Sequence, residues 1–182
     1  MELMRFEEAV HDFTALIQIN PTVAGYYDNR QSALKSLGYM NEALQDADMT
    51  VRLAPNHSFA YRSRGVVYAA AGRYDSAIAD FSKAISIAPR AGGLFLDRGK
   101  IYAKVGTYRE AIADFSHALD IDDKMLAAYR ERGLAFKQLG DLEAALADLA
   151  WCAKFEHRDA EGYKGRIVCL EWRRAFACGT IA

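Results

Sequence analysis

Proline is scarce in this chain, with three in 182 residues, at Pro21, Pro55 and Pro89. Cysteine is equally scarce: Cys152, Cys169 and Cys178 are an odd number gathered in the last quarter. That excludes a fully paired disulfide framework and suits reduced thiols. Charge of one sign is lacking too, since 23 Lys+Arg face 24 Asp+Glu for a net charge of -1, so no bulk attraction draws the chain to nucleic acid. No uninterrupted apolar run approaches the roughly 18 residues of a spanning helix, and no membrane association is expected. The N-terminal run Met1 to Glu8 carries acids where an export signal needs a basic and then an apolar stretch, so a cytoplasmic protein is expected. Hydrophobic residues at 52% against 26% charged argue against disorder.

The step from Pro21 to Pro55 equals the step from Pro55 to Pro89, and other residue types keep the same period. Glycine recurs at Gly38, Gly72, Gly106 and Gly140, and again at Gly65, Gly99 and Gly133. Aromatics recur at Tyr27, Tyr61, Phe95, Tyr129 and Tyr163, arginines at Arg30, Arg64, Arg98, Arg132 and Arg166, and aspartates at Asp12, Asp46, Asp80, Asp114 and Asp148. One unit is therefore copied along the whole chain. In the copy 58–91, Tyr61, Gly65 and Tyr68 form one apolar helical stripe, and Tyr74, Ala77, Phe81, Ala84 and Ala88 form a second. Gly72 between them is suited to the left-handed conformation that ends the first helix, and Pro89 closes the second. Gly65 is expected to face the second helix of its own hairpin and let the backbones approach. A single hairpin of this size cannot bury both stripes, so stacking on neighbours must do so. The expected fold is an all-α, right-handed α-solenoid of antiparallel helix hairpins.

The run from Tyr61 through Arg64, Gly65, Tyr68, Gly72, Tyr74, Ala77, Asp80, Phe81 and Ala84 to Pro89 resembles a near-consensus tetratricopeptide repeat, a unit of about 34 residues. Four full units share the resemblance, 24–57, 58–91, 92–125 and 126–159, within a single array over 1–182. The first unit departs from the family pattern at Gln31, Leu34, Ala47 and Thr50, and the fourth at Leu142, Leu149, Cys152 and His157. Residues 1–21 match only the second helix of a unit, and 160–182 begin as a first helix that is expected to cap the stack. The half unit at the start reads either as the cut end of a longer array, which is preferred, or as a cap with Phe6, Val10 and Phe13 on its open side. From this come two alternatives to a free-standing module: a regulatory array of a larger enzyme, or self-association through the N-terminal helix.

Each Asp of the series precedes an Arg of the next unit at a constant spacing, Asp12 before Arg30 through Asp148 before Arg166, and pairing them that way leaves none of the ten alone. An inter-repeat ladder of guanidinium forks is therefore expected, setting stacking register more than adding stability. No enzyme and no cofactor are expected. His11, His57, His117 and His157 share no motif with the cysteines, no metal-ligand spacing is present, and the glycines belong to turns and helix contacts rather than a phosphate loop.

The resemblance implies that the first helices line a concave groove for a peptide segment of a partner protein. Subtracting packing positions leaves Phe59, Arg62, Val66, Leu96, Lys100, Lys104, Arg130, Leu134, Lys137, Lys164 and Val168 as groove candidates. Their cations suit an acidic or carboxylate-bearing peptide. The carboxylate clamp of chaperone-tail-binding relatives is missing, since its positions read Asp28, Ser32, Ser63, Gly93 and Asp97 here, or Arg62, Val66, Asp97, Ala127 and Glu131 one unit later. The asparagine ladder of glycosyltransferase arrays keeps only Asn29 in the series through Ser63, Asp97, Glu131 and Gly165.

Overall fold

The computed structural model describes residues 2–155. These form nine helices: α1 (Glu2–Ile19), α2 (Ala24–Ser36), α3 (Met40–Leu53), α4 (Ser58–Ala70), α5 (Tyr74–Ile87), α6 (Gly92–Lys104), α7 (Tyr108–Ile121), α8 (Leu126–Gln138) and α9 (Leu142–Phe155). The fold is an all-α helical repeat solenoid. It divides into two units, Met1–Leu94 with α1 to α5 and the start of α6, and the residues from Phe95 onward with the rest of α6 through α9. In the first unit α1 packs on α2, α2 on α3, α3 on α4 and α4 on α5. In the second, α7 packs on α8 and α8 on α9. The expected capping segment 160–182, with Lys164, Arg166 and Val168, lies outside the described residues.

The turn inside each hairpin follows from its glycine. Gly38, Gly72, Gly106 and Gly140 all have positive φ, between 74 and 86°, where a Cβ would be strained. The Gly72 N–H donates to the Ala69 carbonyl and the Arg73 N–H reaches back to the Tyr68 carbonyl, closing the carbonyls that the helix end leaves open. Between hairpins, Pro21, Pro55 and Pro89 each stand just past the end of a second helix.

Within a hairpin the close approach falls where the second glycine series predicts. A Cβ on Gly65 would stand 3.1 Å from Phe81 Cε1, one on Gly99 would stand 2.7 Å from Phe115 Cε1, and one on Gly133 would stand 3.0 Å from Leu149 Cγ. Phe81 and Phe115 are among the largest fully buried side chains, so glycine opposite each makes room for a ring. The first hairpin reverses this arrangement. Gln31 stands at the position of Gly65 and Ala47 at that of Phe81, and both are buried. The volume given up on the second helix is taken by the side chain on the first, as a close-packed interior demands.

Candidate functional site: the faces of the first helices

Among the described residues, the arginine series is consumed inside the hairpins. Arg30 grips Asp46, with Nε to Oδ2 and Nη2 to Oδ1 both at 2.7 Å. Arg64 grips Asp80 (2.7 and 2.8 Å), Arg98 grips Asp114 (2.8 and 2.7 Å) and Arg132 grips Asp148 (both 2.8 Å) in the same two-pronged way. The carboxylates are buried, and the hydrogen bond to each one, working against burial, raises the guanidinium pKa above its ordinary value. Aromatic rings flank the cations: Arg64 lies 5.9 Å from the Tyr61 ring centroid and 5.7 Å from that of Tyr68, and Arg132 lies 5.5 Å from that of Tyr129.

This corrects the expected pairing of each Asp with the arginine of the next unit. The true partner of each arginine is the aspartate that follows it, on the second helix of the same hairpin. Asp12 stands exposed with no arginine among the described residues, and a solvated carboxylate loses little by standing alone. Pairing all ten charges was therefore never an energetic requirement. The arginines still reach the preceding hairpin, through the remaining Nη1: from Arg30 to Thr14 Oγ1 at 3.1 Å, from Arg64 to Asp48 Oδ1 at 2.9 Å and from Arg132 to Ser116 Oγ at 3.0 Å. These contacts fall just beyond the aspartate of the series, at a position that varies in type.

With those arginines held inward, other side chains make the outer face of the first helices. In the first unit α2 and α4 border a cleft of about 280 Å³. The groove candidates Arg62 and Val66 line it, together with Asp28, Gln31, Lys35 and Ser63. Phe59 lies on α4, 40% exposed, with its ring 5.9 Å from that of His57. In the second unit Lys100, Lys104, Arg130 and Leu134 are exposed, and Lys137 is half-buried. Arg130 has Glu131 at 3.8 Å, and Leu96 packs against the buried cluster of Ala111, Phe115 and Ala135.

Sequence reasoning missed Asp28, Gln31, Lys35 and Ser63 as members of this face. Gln31 and Ala47 departing together from the pattern, at positions that oppose one another in the other hairpins, was the available signal. Cys152 is buried, its Sγ 3.5 Å from the Leu126 carbonyl oxygen. Among the described residues no group of three His, Cys, Asp or Glu is placed to hold a metal ion, and no helix is long and apolar enough to cross a membrane.

Family models described as tetratricopeptide repeat match residues 58–90 and 96–154, together half of the chain. The chain belongs to the tetratricopeptide repeat family. No curated protein matches it closely enough to count as a relative. Among solved structures it is similar to a thermophilic tetratricopeptide repeat protein of Thermus thermophilus, at 23% identity and TM-score 0.76, covering 93% of this chain and 92% of that one. It is similar as well to MamA of Desulfovibrio magneticus, at 19% identity and TM-score 0.75, covering 85% and 88%. YrrB, described as a tetratricopeptide repeat protein with an unusual peptide-binding site, matches at 24% identity and TM-score 0.66, covering 89% and 84%. At these identities the likeness concerns the fold.

Proposed function

We propose that this tetratricopeptide repeat protein is a non-catalytic interaction scaffold whose first-helix faces bind an acidic or carboxylate-bearing peptide segment of a partner. One observation carries the proposal: the four described arginines of the repeat are tied to buried carboxylates, whereas a separate set of cations stands on the outer face of the same helices. In the second unit that set is Lys100, Lys104, Arg130 and Lys137, with Leu134 offering an apolar contact. In the first unit Arg62 and Val66 stand with Phe59. Exposed cations alternating with apolar spots match acidic side chains and a hydrophobic anchor on a peptide, and a neighbour of the same fold, YrrB, carries a peptide-binding site by its description. Lys164 belongs to the same proposal by register. Random peptides displayed on phage and selected on the chain should be enriched in Asp and Glu and should lose affinity as salt rises. Recovery of neutral or basic peptides would count against it.

A second reading, self-association, rests on α1. Its Met4, Phe6, Leu16 and Ile19 are exposed, where the corresponding face of a second helix in the other hairpins is buried. Light scattering should then show a mass that grows with concentration and falls back to the monomer on Phe13→Glu. A monomer at all concentrations would remove this reading.

A further inference from the structure

The cleft between α2 and α4 holds a buried polar group that its own hairpin does not satisfy. Gln31 is 3% exposed, and its Nε2 donates to Asp28 Oδ1 at 2.7 Å. A carboxylate only accepts, so the amide can stand only one way round, with its NH2 end toward Asp28 and its oxygen away from it. That oxygen, Oε1, is buried with no hydrogen-bond donor. Most buried acceptors in folded proteins are satisfied, and an unsatisfied one asks for an explanation. Packing accounts for the size of the side chain at this position, since Ala47 leaves room for it. Packing does not account for the amide, because a methionine would fill the same space without a buried acceptor.

The rest of the cleft narrows the chemistry of what Oε1 would meet. Lys35 and Arg62 are balanced by Asp28, so the lining does not select an ion of one sign. Ser63 both donates and accepts, and Val66 adds an apolar strip. A volume of about 280 Å³ is at the small end of the range of about 300 to 1,000 Å³ for ligand clefts. Alternating donors and acceptors beside an apolar strip, in a narrow slot, complement the edge of an extended polypeptide, which presents N–H and C=O groups in turn.

Building on the peptide-binding reading above, we propose that the α2–α4 cleft grips the main chain of an extended peptide, with Gln31 Oε1 accepting one of its N–H groups. Recognition here is of backbone, whereas the cations of the second unit recognise acidic side chains.

The test uses hexapeptides selected from a displayed random library on the full chain, resynthesised with a fluorophore and measured by anisotropy. Two variants remove the acceptor: Gln31→Met keeps the volume, and Gln31→Gly with Ala47→Phe restores the arrangement of the second hairpin. With melting and helical content unchanged, at least one selected peptide should lose tenfold or more in affinity to both variants. N-methylation of a single amide in that peptide should cost the wild-type chain a similar factor and the Gln31→Met chain nothing further. If Gln31 variants weaken binding but no single N-methylation does, the cleft reads a side chain and the backbone assignment is overturned. If peptides are lost on Lys100→Glu with Arg130→Glu but bind both Gln31 variants within twofold, the groove reading stands and the cleft proposal fails. If no selected peptide responds to either set, both fall.

Discussion

Arg64 allows the energetic division of the ladder to be measured. Its fork holds Asp80 within the hairpin and its third nitrogen holds Asp48 of the preceding one. Asp80 has 8% of its side chain exposed, Asp48 has 46% and Arg64 has 21%. Removing one partner of a fully buried pair costs about 3–5 kcal/mol, because the other charge is left buried and alone. Arg64 keeps a fifth of its side chain in water, so Arg64→Met should cost less, about 2–3 kcal/mol. For a chain of this length that lowers Tm by roughly 4–12 °C, at about 2–4 °C per kcal/mol. Asp48→Ala removes a half-exposed partner and should cost about 0.2–1 kcal/mol. Double-mutant cycles by calorimetry or urea unfolding separate the two couplings, and the Arg64 to Asp80 term should exceed the Arg64 to Asp48 term at least twofold. Equal terms, or a larger one to Asp48, would mean that the arginines act chiefly between repeats and would refute the intra-hairpin account.

Gln31→Gly and Ala47→Phe should each destabilise the chain when made alone, by about 1–3 kcal/mol from lost packing in the first case and overpacking in the second. Together they should recover at least about 1 kcal/mol of the summed loss, measured by urea unfolding; simple additivity would show that the two positions do not compensate. The raised guanidinium pKa values fix the sign of a pH effect. Each fork contributes in full below the ordinary value of 12.5 and is lost only as pH rises past the raised folded value. The Tm difference between wild type and Arg98→Met should therefore be the same at pH 7 and pH 10, and a difference that shrinks by pH 10 would contradict the fork as its source.

The hairpins, their turns and the close helix contacts were legible in the sequence because each depends on a residue with few substitutes. Only glycine sits easily at positive φ, as at Gly72, and only glycine lets a buried ring such as Phe81 lie against the facing helix. Proline at the seams is equally restrictive. The charge ladder was legible in composition and misread in connectivity, because an aspartate such as Asp80 keeps a constant spacing both to Arg64 before it and to Arg98 after it. Geometry across the hairpin chose between them. That choice could not come from counting, since the unpaired Asp12 lies in water and loses little there. The cleft was the least legible feature. Its polar members, Asp28, Gln31 and Ser63, come from two successive first helices, and nothing in the spacing of one helix marks them. Gln31 carried a faint signal as a bulky residue at a glycine position, which becomes meaningful only beside the simultaneous loss of the ring at Ala47.

The central claim is that exposed cations on the first helices, distinct from the structural arginines, receive an acidic peptide. Its most direct test is the affinity of a selected acidic peptide, by fluorescence anisotropy at two salt concentrations, for the wild-type chain and for Lys100→Glu with Arg130→Glu. Both positions are exposed, so the double reversal should leave Tm within a few degrees. The account predicts a loss of affinity of tenfold or more at low salt, with a smaller difference at high salt. Unchanged affinity at low salt, with the fold intact, would contradict it.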